Sequence, residues 1–275
     1  MRSEECPDRP SPQLQQVRGN GRIAGAEQAT KGATVNWKWD WDALVAIGTL
    51  ALAISAFAAI FASTVRRWWN RPVLTMDLSD GVRPDFLSIP FGGQSSITHG
   101  PVVVDSYYVR FRVVNKGLRD PARNVMAFLA EVNHQETGTP VDTYIPLHLN
   151  WSNFGGHLFY PMINRGLDVH CDLGFILDPQ RRNHFTNQNL NPTRLGIAND
   201  VPVLALDTVV KPNSQSSLIP PGTYILKVIV AASNAKPATA KFQVIVPDRW
   251  YPNEDEMFSD VGLSAKITEV SEEVE

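Results

Sequence analysis

One stretch constrains this chain more than any other. From Ala43 to Val65, ALVAIGTLALAISAFAAIFASTV, there is no charged residue. As a helix rising about 1.5 Å per residue it is roughly 34 Å long, enough to cross a bilayer's hydrocarbon core of about 30 Å. A core helix of a soluble protein is rarely so long without a charge. Trp37, Trp39 and Trp41 precede the run, and Trp68 and Trp69 follow it. Indole has an apolar body and one N–H donor, so it prefers the headgroup layer. Five of the seven tryptophans thus fall where interfacial belts would lie, and Arg66, Arg67 and Arg71 share the second belt. Residues 37–71 are therefore expected to form a single-pass transmembrane helix with the lipid bilayer as a partner. Ala56-Phe57-Ala58 offers a small-x-small cleavage site. A signal peptide, however, needs a short basic leader, and 42 residues precede this run, with Asp40 and Asp42 at its edge.

Orientation follows Lys and Arg near the span. Lys31 and Lys38 lie on the N-terminal side, against Arg66, Arg67, Arg71 and Arg83 on the other. That bias puts the C-terminal side in the cytoplasm. Within the span, Ala51, Ser55, Ala59 and Ser63 recur every four residues, a spacing that lets two helices approach closely. Self-association through this face is one expectation.

Residues 1–36 are rich in Pro, Gly, Gln and Ala and hold few large apolar side chains. Such a segment cannot offset its ordering entropy, and it is expected to be disordered. The net charge of −3 gives no nucleic-acid signal. The two cysteines, Cys6 and Cys171, lie in different segments and make no disulfide framework.

Arg71-Pro72 stops the helix, since proline lacks an N–H and restricts the residue before it. Strands are then expected from alternation. Val73 to Leu78 is the first, and a loop to about Gly100 follows. Val102 to Val114 is the clearest, with Val109, Phe111 and Val113 facing inward and Tyr108, Arg110 and Arg112 facing away. Val125–Val132, Tyr144–Leu149, Val169–Leu177 and Val201–Val210 also read as extended. Asn183 to Arg194 is polar and is expected to be an exposed loop, with Arg181 and Arg182 solvated at its start. Tyr224, Leu226 and Val228 open a closing hairpin whose return strand carries Phe242, Val244 and Val246. Trp250 and Tyr251 are expected to pack on that last strand. Residues 251–275 hold most of the nine acids of Asp248–Glu275 and are expected to be an acidic tail, mobile from about Gly262.

The phrases YYVRFRVVNKGLRDPARNVMAFLAEV and LIPPGTYILKVIVAASNAKPATAKFQVIV resemble strand–turn–strand units of bacterial immunoglobulin-like domains of the fibronectin type III kind. The chain is also similar to uncharacterised single-span membrane proteins that carry such a domain after the span. The resemblance implies a mainly β chain: one transmembrane helix, then an immunoglobulin-like antiparallel β-sandwich over 72–250. The stretch 148–200 reads as a loop-rich insertion. It carries over no catalytic residue.

No residue pattern calls for a cofactor, and no nucleophile elbow, Walker loop or dinucleotide fingerprint occurs. The densest polar cluster is His170-Cys171-Asp172. On a strand His170 and Asp172 share one face, as a nitrogen and an oxygen ligand or as base and orienting acid, while Cys171 faces away. The competing reading is an ordinary polar strand face. The sequence points to a membrane-anchored binding or assembly module with a protein partner. The alternative is a tethered enzyme or small-ligand binder using 148–200.

Overall fold

The computed structural model describes residues 40–79, 85–94, 100–141, 146–182, 192–211 and 217–272. Trp37, Trp39 and the tail 1–36 lie outside them. The chain divides into two compact units, Met1–Ser55 and Ala56–Glu275. The described part of the first is the opening half of helix α1 (Trp41–Trp69), which continues into the second. Asp40 starts the helix: its carbonyl accepts from the Leu44 amide at 3.2 Å. Asp42 in the first turn complements the helix dipole. Trp41–Arg66 is long and apolar enough to cross a membrane, and it is not buried against protein. Its hydroxyls satisfy themselves on their own helix, Thr49 on the Val45 carbonyl at 2.8 Å and Ser55 on that of Ala51 at 2.7 Å.

The second unit is mainly β and holds two antiparallel six-stranded sheets. The first is built on β3 (Pro101–Asn115), whose length lets two strands share one edge. β1 (Leu74–Asp77) pairs with residues 112–115 of β3, and β2 (Phe86–Gln94) with residues 101–109. On its other edge β3 pairs with β7 (Asp168–Leu177), followed by β8 (Leu204–Leu206) and β9 (Leu218–Ile219). The second sheet runs from β12 (Ser264–Glu272) through β11 (Ala235–Val246) and β10 (Gly222–Ala232) to β4 (Ala122–His134). The far edge of β4 carries β5 (Leu147–His148) and β6 (Tyr160–Ile163).

The alternation in β3 and β10 does what period two requires. Val109, Phe111, Val113, Tyr224, Leu226 and Val228 are all buried in one core. The rings of Phe111 and Phe242, one from each sheet, lie 5.2 Å apart between centroids. A smaller cluster of Val104, Phe175, Leu177, Val203 and Leu218 forms on the opposite face of the first sheet.

Two expectations are corrected. The segment expected as a loop up to Gly100 contains β2. Its breakers Pro90, Gly92 and Gly93 sit in an edge strand, where a missing N–H on the outer side costs nothing. The acidic end is not a mobile tail: β12 pairs along β11 from Ser264↔Ile245 to Glu272↔Ala238, and Leu263 is fully buried. Glu254–Met257 forms a short helix, with Met257 buried and the Asn253 side chain accepting from the Asp255 amide. Tyr251 is buried in the core that includes Phe242, Val244 and Val246, and Trp250 packs against that core beside Tyr107 of β3, 5.0 Å between centroids. The Tyr107 hydroxyl donates to the Pro252 carbonyl at 2.7 Å.

Candidate functional site

The polar face of the first sheet carries the chemistry-bearing side chains. Its pairing register sets Arg110 beside Asp172 and Arg112 beside His170. The ladder slips by one residue between Val109 and Arg110, because Leu173 bulges out opposite them. The sequence-singled pair His170 and Asp172 does share this face, and Cys171 is fully buried behind it. Burial pushes the Cys171 thiol well up, so it is a packed, unreactive side chain.

The pair does not act as a unit. His170 Nε2 sits 3.3 Å from Asp85 Oδ1. Asp172 accepts from the Ser152 hydroxyl at 2.6 Å and lies 3.6 Å from Arg110 Nε. Burial pushes the Asp172 carboxyl up to about 6; the Ser152 hydrogen bond opposes this, nearby Asp207 adds to it, and Arg110 opposes it. Asp207 is held in turn by the Asn150 amide at 2.7 Å and Lys211 Nζ at 3.4 Å.

Asp85 is the centre the sequence did not point to. It is fully buried where β1 ends and β2 begins. Its carboxylate accepts from the Ser79 amide at 2.6 Å and faces Arg112 Nε at 3.3 Å, while its carbonyl accepts from the Arg110 amide at 2.8 Å. Arg112 also reaches Asp77 at 3.4 Å, Asp168 at 4.0 Å and the Ser79 hydroxyl at 3.0 Å. Each carboxylate is engaged by a cation or a donor, which makes the cluster a lock on the β1–β2 junction. Nothing near Asp85 in sequence marks it. The alternation of Arg110 and Arg112 against His170 and Asp172 on neighbouring strands was a usable signal.

No group of three or more His, Cys, Asp or Glu able to hold a metal occurs among the described residues. Arg182, expected to be solvated, is buried instead. It donates to the carbonyls of Asn199 at 2.9 Å and Val201 at 3.0 Å, and burial lowers its pKa to about 10. Arg181 beside it is exposed, 3.9 Å from Asp178.

At the membrane-facing candidates, Trp41, Trp68 and Trp69 are exposed, as are Arg66 and Arg71; Arg67 lies within α1. The helix ends at Trp69, and the amide of the following Asn70 donates to the Arg66 carbonyl at 3.0 Å. Comparison with known proteins finds no matching family model, no matching curated protein and no matching solved structure.

Proposed function

We propose that this chain is a single-pass membrane protein whose β-sandwich serves as a binding or assembly module, held at the cytoplasmic surface. The observation that carries the reading is α1: 26 residues from Trp41 to Arg66, charge-free between Ala43 and Val65, with no burial against protein and with indoles at both ends. Exposed Leu, Ile and Phe in such number have no stable place in water. Kinship with immunoglobulin-like domains belongs to the same proposal. Its support is the pair of antiparallel sheets closing on one core and the β10–β11 hairpin.

Asp172 keeps the alternative of a small-ligand site in view, since a carboxyl titrating near 6 is suited to proton exchange. Its Oδ1 already accepts from Ser152, with Arg110 Nε 3.6 Å away, which favours the module.

The test is extraction. The full chain in membranes should stay in the pellet through high-salt and carbonate washes. Recovery in the wash would reject the anchor. Crosslinking in intact membranes should then give a reproducible protein adduct through the sandwich, and its absence would reject the binding role.

A further inference from the structure

The end of the sandwich that adjoins the last turn of α1 is built rather than loosely tethered. The Lys116 amide donates to the Val73 carbonyl at 2.8 Å, and the Asp120 amide to that of Asn70 at 3.2 Å. Gly117 makes this approach possible, because a Cβ there would meet Pro72 Cα at 2.6 Å. Buried Asn115 fastens a second turn to the first. Its amide nitrogen Nδ2 donates to the carbonyls of Asp120 at 3.0 Å and Ile163 at 3.1 Å, and its own carbonyl accepts from the Gly166 amide at 2.9 Å.

Between the turns and the helix end lies a groove of about 710 Å³. Val65, Trp69 and Leu118 supply its apolar wall, and Arg66, Arg119 and Arg165 its polar one. A smaller cavity of about 200 Å³ beside Trp69 and Leu118 adds Arg71 and Lys116. All five cations are exposed, and among the described residues none has a carboxylate partner. Elsewhere on the domain the pattern is mixed. Arg110, Arg112, Arg181, Lys211, Lys227 and Lys241 are each paired with a carboxylate, whereas among the described residues Arg123, Lys236 and Lys266 are not, and none of those three lines this groove. Asp120 is the one acid in the first turn. Leu118 is 62 % exposed at the tip of that turn, and Trp69 is 67 % exposed.

We propose that this groove binds the headgroup of an anionic phospholipid. Guanidinium groups present planar donors that fit a phosphate. Trp69 and Leu118 match the glycerol and upper acyl region of the same molecule. The excess of cations selects an anionic lipid over a zwitterionic one, each cation near such a surface being worth about a fivefold preference. The inference rests on the membrane-spanning reading, which sets Trp68 and Trp69 at headgroup depth.

The test uses the full chain in neutral detergent, presented with equal amounts of phosphatidylglycerol and phosphatidylcholine and read by native mass spectrometry. The expected result is preferential retention of phosphatidylglycerol, by tenfold or so. Arg119→Gln with Arg165→Gln should lower that preference by at least about tenfold, while Lys227→Gln with Lys241→Gln leaves it unchanged. Equal retention of the two lipids, or an unaltered preference in the arginine variant, would overturn the site. Thermal stabilisation by inorganic phosphate equal to that by phosphatidylglycerol would overturn the headgroup assignment. Carbonate extraction of the membranes from which the chain is purified, before detergent is added, separates the two levels. A chain that washes out fails the membrane reading itself, whereas a chain that stays embedded without lipid preference fails only this site.

Discussion

At the scale of single residues, the first sheet takes two carboxylates, Asp85 and Asp172, out of water. Asp85 is the extreme case, its charge answered by Arg112 and a backbone amide, with the His170 ring 3.3 Å from its other oxygen. Asp172 is answered less completely, and burial leaves its carboxyl at about 6 against an ordinary value of 3.8. The sign of the resulting pH dependence follows. Below about 3.8 the group is protonated in both folded and unfolded chains and contributes nothing. Between 3.8 and about 6 the folded chain holds a proton that the unfolded chain has lost, so stability falls as pH rises through this window. Above about 6 the penalty is complete, on the order of 3 kcal/mol at most. Asp172→Asn removes the titrating group while keeping an acceptor for Ser152. Denaturant unfolding of both proteins across this range should show the wild type losing stability relative to the variant from pH 4 to 6. A difference flat with pH would show that Asp172 is not desolvated.

At the scale of elements, the strands with clean alternation were legible, and the misreadings share one cause. β10 declares itself because one face, Tyr224 to Val230, is apolar throughout, and β3 because the same holds over Tyr107, Val109, Phe111 and Val113. β2 did not, because Pro and Gly in an edge strand look like loop residues when the partner strand is unknown. β12 was hidden by composition. Leu263 and Ala265 are buried and Ile267 packs against the core, but the other face carries Lys266 and Glu269, and the segment's many acids read as a solvated tail. The lock at Asp85 was illegible for a different reason, since it is assembled from residues up to 91 positions apart, from Asp77 to Asp168. The correction at β12 has a measurable consequence. Removing residues 264–275 uncovers the edge of β11 and the core beneath it. A loss of only about 2 kcal/mol lowers the midpoint of a domain this size by roughly 4–8 °C. Thermal unfolding of the shortened chain should therefore show at least that drop. An unchanged melting temperature would return the segment to the status of a tail.

At the scale of the whole molecule, the proposed roles assign two sets of cations to different times. Arg66, Arg67 and Arg71 follow the apolar run directly, within the roughly 15–20 residues over which positive charge sets the orientation of a span. They outnumber Lys31 and Lys38 on the other flank. Arg119 and Arg165 come far later in the chain, and only folding brings them to the helix end. Insertion precedes that folding, so orientation should depend on the first set and not on the second. A reporter fused after Glu275 is expected to read as cytoplasmic. Neutralising Arg66, Arg67 and Arg71 together should produce a mixed or inverted population, because the remaining bias then favours the other flank. Neutralising Arg119 and Arg165 should leave the reporter cytoplasmic while abolishing the lipid preference. An extracytoplasmic reporter on the native chain would reject the orientation. A reporter that inverts with Arg119 and Arg165 would show that the folded domain, rather than the flank of the span, decides which side it occupies.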